Sequence, residues 1–316
     1  MSEYFDNKQL FMTPKTTQIG SHMVMTDVSK ETKVKYINID TRFRDEYNYL
    51  NSSTTPINYN YTNAANYTFT LPERYNNVKT LSVTNVELPI VYYNISANMG
   101  NNCLKITGGT TRLVVIPDGQ YTASTLNAKL LTLITTDISI NLVDNSSTQI
   151  VNKTGSTVTV DFNYSAASST DTVGSYDKFN TKFKLGWLMG FRNISYTIAG
   201  NATITSEALL DLIGPKYLYL IVDEFSQGNQ SSFVSPMAGS IVKKNILARI
   251  TIDRTTYPFG SVVIAHNNNG LLTSDDRSYT GKIDIQRLNI QLVNESGVPM
   301  NLNGMDFSFC LQLIHD

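Results

Sequence analysis

The chain carries little charge, few cysteines or histidines and no long apolar run. Charged residues make up 16% of its 316 positions, well below the roughly 25% of an average soluble domain. Basic and acidic residues number 25 and 26, leaving a net charge of −1. That balance supplies no global field toward phosphate backbones or anionic lipid, which argues against a nucleic-acid partner. Cys103 and Cys310 are the only cysteines. They stand far apart and outside any Cys-x-x-Cys spacing, so they read as two buried thiols and not as a disulfide framework. The histidines, His22, His266 and His315, have no second ligand type at metal spacing, and no metal is expected. The longest apolar runs, such as YLYLIV at Tyr217 to Val222, fall far short of the roughly 20 residues that span a bilayer. The first twenty residues lack the charged start, apolar middle and small-residue cleavage site of a secretion signal.

The usual chemical motifs are missing as well. No Gly-x-Ser-x-Gly elbow presents a nucleophile. Asp275 and Asp276 lack the interleaved acids and spaced Glu of a calcium loop. The glycines at Gly108 to Thr110 and in LGWLMGFR, Leu185 to Arg192, are not followed by the Lys-Ser/Thr of a phosphate loop. The expectation is a protein that is not an enzyme and holds no cofactor.

What fills the composition is Asn, Ser, Thr and aromatics, with 18 tyrosines. A surface of amides and hydroxyls suits wide, wet, uncharged contacts with other proteins. Met1 to Lys33 shows no sustained period. Its isolated apolar residues Tyr4, Phe5, Leu10, Phe11 and Met12 read either as interface candidates of an extended arm that orders on a neighbour or as part of a disordered tail.

From Val34 to the end, short segments rich in β-branched and aromatic residues alternate with Asn, Gly, Ser and Pro clusters. VKYINID, NYTFTL, KTLSVTNVEL, CLKIT, TRLVVI, ISINLV, STVTVDF, KYLYLIV, ILARITID and GSVVIAH all read as strands, at the spacing of a sandwich or barrel. The apolar phase changes in LSVTNVEL, which predicts a β-bulge near Asn85, and a similar change predicts a second near Gln286 and Arg287.

Helix is scarce. In IPDGQYT, Pro117 presets a turn, Asp118 bonds its own backbone and Gly119 takes positive φ. A helix follows, capped by Thr122 or Ser124, with Leu126, Leu130, Leu133 and Ile134 forming one stripe. TSEALLDLIG predicts a second, capped by Thr205 or Ser206 and stopped at Gly214-Pro215. The C-terminal stretch NESGVPMNLNGMDFSFCLQL, Asn294 to Leu313, reads as a hairpin turning at Asn303-Gly304. Val298, Met300 and Leu302 would share one face, as would Met305, Phe307, Phe309, Leu311 and Leu313, with Cys310 on the opposite side. The tyrosine clusters VYYN and YLYL read as core packing before a sugar-binding platform. A glycan- or receptor-binding β-sandwich stays open as an alternative function.

Taken in order, YINIDTRFRD, NVKTLSVTNVELP, IPDGQYT, LGWLMGFR, KYLYLIVDEF, ILARI and the C-terminal RSYTGKIDIQRLNIQLVNESGVPMNLNGMDFSFCLQL resemble the minor capsid and penton (vertex) proteins of nucleocytoplasmic large DNA viruses, the giant icosahedral viruses. The likeness covers most of Val34 to Leu313. It implies a mainly β chain folded as an antiparallel jelly-roll sandwich, with a single roll carrying insertions favoured over two rolls because 316 residues are short for two sets of eight strands. With the arm at 1–33, the jelly-roll domain would take 34–316, with a polar insertion near 148–180 that reads as an outward protrusion or a flexible hairpin. The implied function is a structural virion protein, a penton subunit or else a cement protein linking capsomers from beneath. Its partners would be copies of itself in a pentamer and the major and minor capsid proteins, assembled in the host cytoplasm.

Overall fold

The computed structural model describes residues 15–19, 23–27, 31–44, 65–177, 180–225, 229–230 and 245–316. The interface candidates Tyr4, Phe5, Leu10, Phe11 and Met12 lie outside the described residues. Two short strands, β1 (Lys15–Ile19) and β2 (Met23–Asp27), pair antiparallel with each other. The main body starts with β3 (Lys33–Asp40) and β4 (Asn66–Pro89). The chain then builds β5 (Cys103–Thr107), β6 (Thr111–Val115), α1 (Ala123–Leu133), β7 (Ile138–Asn141), β8 (Ser147–Asn152), β9 (Val158–Asp161), β10 (Tyr164–Ser165), β11 (Ser175–Tyr176), α2 (Leu185–Leu188), β12 (Ser195–Ile198) and β13 (Thr203–Leu209). It returns through β14 (Tyr217–Asp223), β15 (Asn229–Gln230), β16 (Ile246–Thr251), β17 (Val262–His266), β18 (Leu272–Ser274), β19 (Arg277–Asn294) and β20 (Ser308–His315).

The fold is a mainly β, antiparallel jelly-roll sandwich. Its main sheet runs β18-β16-β14-β19-β4-β20-β3, with β15 added to β19 and β17 to β4. The sheet curls until its two arms face each other: the Ser274 hydroxyl of β18 accepts from the Val83 N–H of β4 at 3.1 Å and donates to the Leu247 carbonyl at 3.1 Å. Alternation sorts the side chains, so that Phe309, Leu311 and Leu313 of β20 are buried with Val83, Val86 and Leu88 of β4 and Leu218, Leu220 and Val222 of β14. Each such side chain contributes about 1.5–3 kcal/mol on burial.

Between β4 and β14 the chain forms a lobe with its own core. Sheets β12-β9-β5-β6 and β13-β8-β7 pack with α1 around Leu104, Ile106, Leu126, Leu130, Ile150, Val160 and Phe162. Phe162 stacks on Phe191 with ring centres 5.1 Å apart. Thr122 caps α1 in a reciprocal arrangement with Thr125, and Leu126, Leu130 and the C-cap Ile134 turn inward. Inside the polar stretch 148–180, Ile150, Val158 and Val160 belong to this core.

Both bulges occur. Cys310 pairs with Asn85 and Leu311 with Val83, which leaves Thr84 as the extra residue. Ile285 pairs with Tyr75 and Arg287 with Thr70, which breaks the β4–β19 register near Gln286. Several sequence expectations need correction. NYTFTL and KTLSVTNVEL belong to one strand of 24 residues. TSEALLDLIG is not a helix: Thr203–Leu209 is β13, with Thr203, Thr205, Glu207 and Leu209 exposed in alternation. Ser206 does not cap a helix there; its hydroxyl accepts from Thr148 N at 2.9 Å and donates to Ala208 O at 2.7 Å. The second helix is instead Leu185–Leu188.

The C-terminal stretch is not a simple hairpin. Met300 N bonds back to Leu292 O at 3.0 Å, so Val298 to Met300 folds onto β19, while β20 inserts between β3 and β4. The turn itself is present, with Asn303 at φ 51° and Gly304 at φ 80°. Met305 is 51% exposed and does not join the buried face. The cysteines are both free, and only Cys103 is fully buried.

Candidate functional site

The cross-strand register arranges the outer face of the sheet half formed by β3, β20, β4 and β17 into rows. One row holds Asp40, Ser308, Glu87 and Ile264; the next holds Asn38, Cys310, Asn85 and His266. Beyond them come Tyr36, Gln312 and Ser82, then Val34, Ile314 and Thr80. The alternate positions, including Ile39, Phe309, Val86 and Ala265, face the core. Val34, Tyr36, Val262 and Ile264 are between 50% and 62% exposed. The carboxylates in these rows are engaged: Glu87 accepts from the Ser308 hydroxyl at 2.7 Å. Asp40 accepts from Arg42 Nη2 at 2.7 Å, and that hydrogen bonding holds its carboxyl below the usual range. What remains is a surface of amides, hydroxyls and aliphatic groups. β3 ends the sheet order, so its far side has no strand partner among the described residues.

One side chain ties together the two ends of the lobe. Asn94, 2% exposed, stands where the chain leaves the sandwich. Its amide donates to the carbonyls of Tyr121 at 2.8 Å and Leu212 at 2.7 Å, and its oxygen accepts from Tyr121 N at 2.9 Å. Asn94 thus ties the chain's exit from the sandwich to its return at Leu212. The IPDGQYT motif supports the same joint in a way its sequence does not announce. Asp118 accepts from Ala97 N at 2.8 Å and not from its own strand end. Gly119 is not at positive φ; it forms an antiparallel bridge with Ile95, and a Cβ there would lie 2.9 Å from the Tyr121 ring. The Tyr121 hydroxyl donates to the Pro117 carbonyl at 2.8 Å.

Beside this joint, a cleft of about 620 Å³ opens between the lobe and the turn that follows β19. Lys184, 4% exposed, donates to the Ser165 hydroxyl and to Gly100 O at 3.4 Å, with the Asp177 carboxylate 3.6 Å away. Trp187 carries the Arg192 guanidinium 4.0 Å above its ring. Glu295 has a buried Oε2 with no hydrogen-bond partner, and burial raises its pKa. The glycines of LGWLMGFR serve packing: a Cβ on Gly186 would run into the Phe162 ring, and one on Gly190, at φ +90°, into the Ala208 carbonyl.

The tyrosine clusters are mostly core. Tyr92 is 1% and Tyr219 5% exposed, and burial pushes the Tyr92 hydroxyl up to about 12. Among the described residues, no group of three or more His, Cys, Asp or Glu comes close enough to hold a metal ion, and no helix is long and apolar enough to cross a membrane. Asn94, Lys184 and Glu295 carry no pattern in the sequence that marks them; only their spatial convergence does.

No family model matches the chain, and no curated protein matches it. Among solved structures, it is similar to the selenomethionine-labelled mavirus penton protein, with a TM-score of 0.38 and 10% identity, covering 90% of this chain and 99% of that one. The surfaces are therefore read from their own residues.

Proposed function

We propose that this protein is a structural subunit of the capsid of a large icosahedral DNA virus, and specifically a penton subunit that works by the fit of its surfaces. The observation that supports this reading is the outer face of β3, β20, β4 and β17. It presents Val34, Tyr36, Val262 and Ile264 to solvent, the first two on the edge strand β3, whose Lys33 and Lys35 take the alternate positions, and clustered exposed apolar side chains mark a contact surface. A face whose few charges are locally engaged, Asp40 by Arg42 and Glu87 by the Ser308 hydroxyl, imposes a modest desolvation cost, which suits repeated packing of identical subunits. The ordered motif set from YINIDTRFRD to the C-terminus points the same way.

In this reading the sandwich packs against its copies, five around a vertex, and against the major and minor capsid proteins. The segment 1–33, with Tyr4, Phe5, Leu10, Phe11 and Met12, reaches across to a neighbour, and 34–316 forms the packed unit. The chain performs no catalysis and is assembled into the virion in the host cytoplasm. The test is stoichiometric: quantitative mass spectrometry of purified particles should find this chain at a fixed copy number per particle. Its absence, or an irregular trace amount, would end the proposal. Removing 1–33 should leave the fold intact and impair assembly; normal assembly of that truncation would rule out the arm.

A further inference from the structure

We propose that the cleft between the lobe and the sandwich binds a short neutral oligosaccharide. The cleft of about 620 Å³ falls within the roughly 300–1,000 Å³ of sites that enclose small ligands. Its charges cancel. Lys182, Lys184 and Lys216 face Asp177, Asp211 and Glu295 across the same space, and two pairs are joined within it, Lys184 with Asp177 at 3.6 Å and Lys216 with Asp211 at 3.3 Å. Such a lining gives neither an anion nor a cation a net field to enter.

The rest of the lining is suited to hydroxyls. Asn98 and Asn180 add side-chain amides, and Trp187 and Phe183 add aromatic surface of the kind that packs on the C–H face of a sugar ring. Glu295 supplies the anchor. Its Oε2 is buried without a partner, and a buried acceptor left unpaired is costly until a donor arrives. A sugar hydroxyl can donate to it and in turn accept from a neighbouring amide. Among the described residues the walls are mostly loops and turns, at 94–101, 177, 180–184, 211–216 and 295–298, with Trp187 and Leu188 of α2, and no long strand edge is there to extend a bound peptide. The site adjoins the largely buried tyrosine clusters, with Asn94 and Lys216 in its lining, and does not depend on the capsid reading.

Trp187 is the single tryptophan of the chain and lines the cleft, so occupancy should change the protein's intrinsic fluorescence. The full chain should be applied to an array of neutral and sialylated glycans, and any neutral hit titrated by that fluorescence. The expected result is binding of a neutral oligosaccharide, weakened at least tenfold by Glu295→Ala with a thermal melt no lower than the parent's. A second variant, Trp187→Phe, followed by saturation-transfer NMR, should also weaken binding while keeping an aromatic ring in place. The proposal is overturned if no neutral glycan binds, if only sialylated glycans bind, or if affinity is unchanged in both variants. Saturation of the cleft by peptides in the absence of any glycan hit would overturn it too.

Discussion

Replacing Asn94 with alanine removes three hydrogen bonds at once from the joint between sandwich and lobe. The groups left behind are the N–H and carbonyl of Tyr121 and the carbonyl of Leu212. An unsatisfied buried polar group costs about 1–3 kcal/mol, but the neighbouring cleft admits water to some of them. The expected loss is therefore about 3–5 kcal/mol, a large part of the stability of an ordinary domain. It should also be local. Hydrogen exchange should speed up in peptides spanning 118–126 and 208–214, while β4, β19 and β20 keep their protection. Denaturant unfolding followed by Trp187, which sits in the lobe, should shift to lower denaturant. Asn98→Ala, which removes a single bond at 3.1 Å to Pro299 O, should cost no more than about 1.5 kcal/mol and serves as the control. A loss below about 1 kcal/mol for Asn94→Ala, too little for even one orphaned group, would refute the joint. So would exchange that accelerates uniformly across the sandwich.

Arg277 and Glu224 form a buried ion pair at 2.6 Å, with side chains 1% and 0% exposed, and Arg277 also donates to Val222 O and Asn245 O. Arg277→Met should cost about 3–5 kcal/mol by stranding the carboxylate, and adding Glu224→Leu should recover part of that loss; equal losses in single and double variants, read by chemical denaturation, would contradict the pairing. Asp316 lies against Lys79 and Lys282, and their hydrogen bonds lower its carboxyl from 3.8 to about 2. Its contribution to stability should thus be full above about pH 4 and disappear as pH falls through about 2; Asp316→Asn should narrow its difference from the parent over that window, and a pH-independent difference would contradict the assignment. Burial raises the Cys103 thiol to about 12, so a maleimide at pH 8 should label Cys310, on the half-exposed outer face, far faster than Cys103 in the folded protein. Similar labelling rates at the two sites would contradict that burial.

Much of the strand layout was legible because most segments carry the period of two that a half-buried sheet requires. β3, β5 and β20 follow from their alternation, β14 from a continuous apolar run buried on both faces, and even the Thr84 bulge shows as a change of apolar phase. The failures have local causes. The polar run Glu73 to Asn77 looks like a turn between two strands, yet β4 continues through it, because the register break opposite β19 absorbs the irregular residues. Leu209, Leu210, Leu212 and Ile213 lie at helical spacing, but β8 is available to pair with Thr203 to Thr205, and Ala208 N bonds to Gly190 O at 2.9 Å. Tertiary pairing there outweighs propensity. The lobe's joint and the cleft could not be read at all, since their parts come from stretches as distant as Asn94, Lys184 and Glu295. A lone asparagine flanked by aromatic and aliphatic residues has the same sequence signature whether it ties two segments together or sits in solvent.

The central claim is a place in a capsid, and the symmetry position of this chain in a reconstructed particle tests it most directly. Electron cryomicroscopy of purified particles should show five copies around each vertex, with Val34, Tyr36, Val262 and Ile264 covered by a neighbouring subunit. Copies seated between capsomers beneath the shell would replace the penton role with a cementing one. A particle whose shell contains no density for this chain would contradict the account.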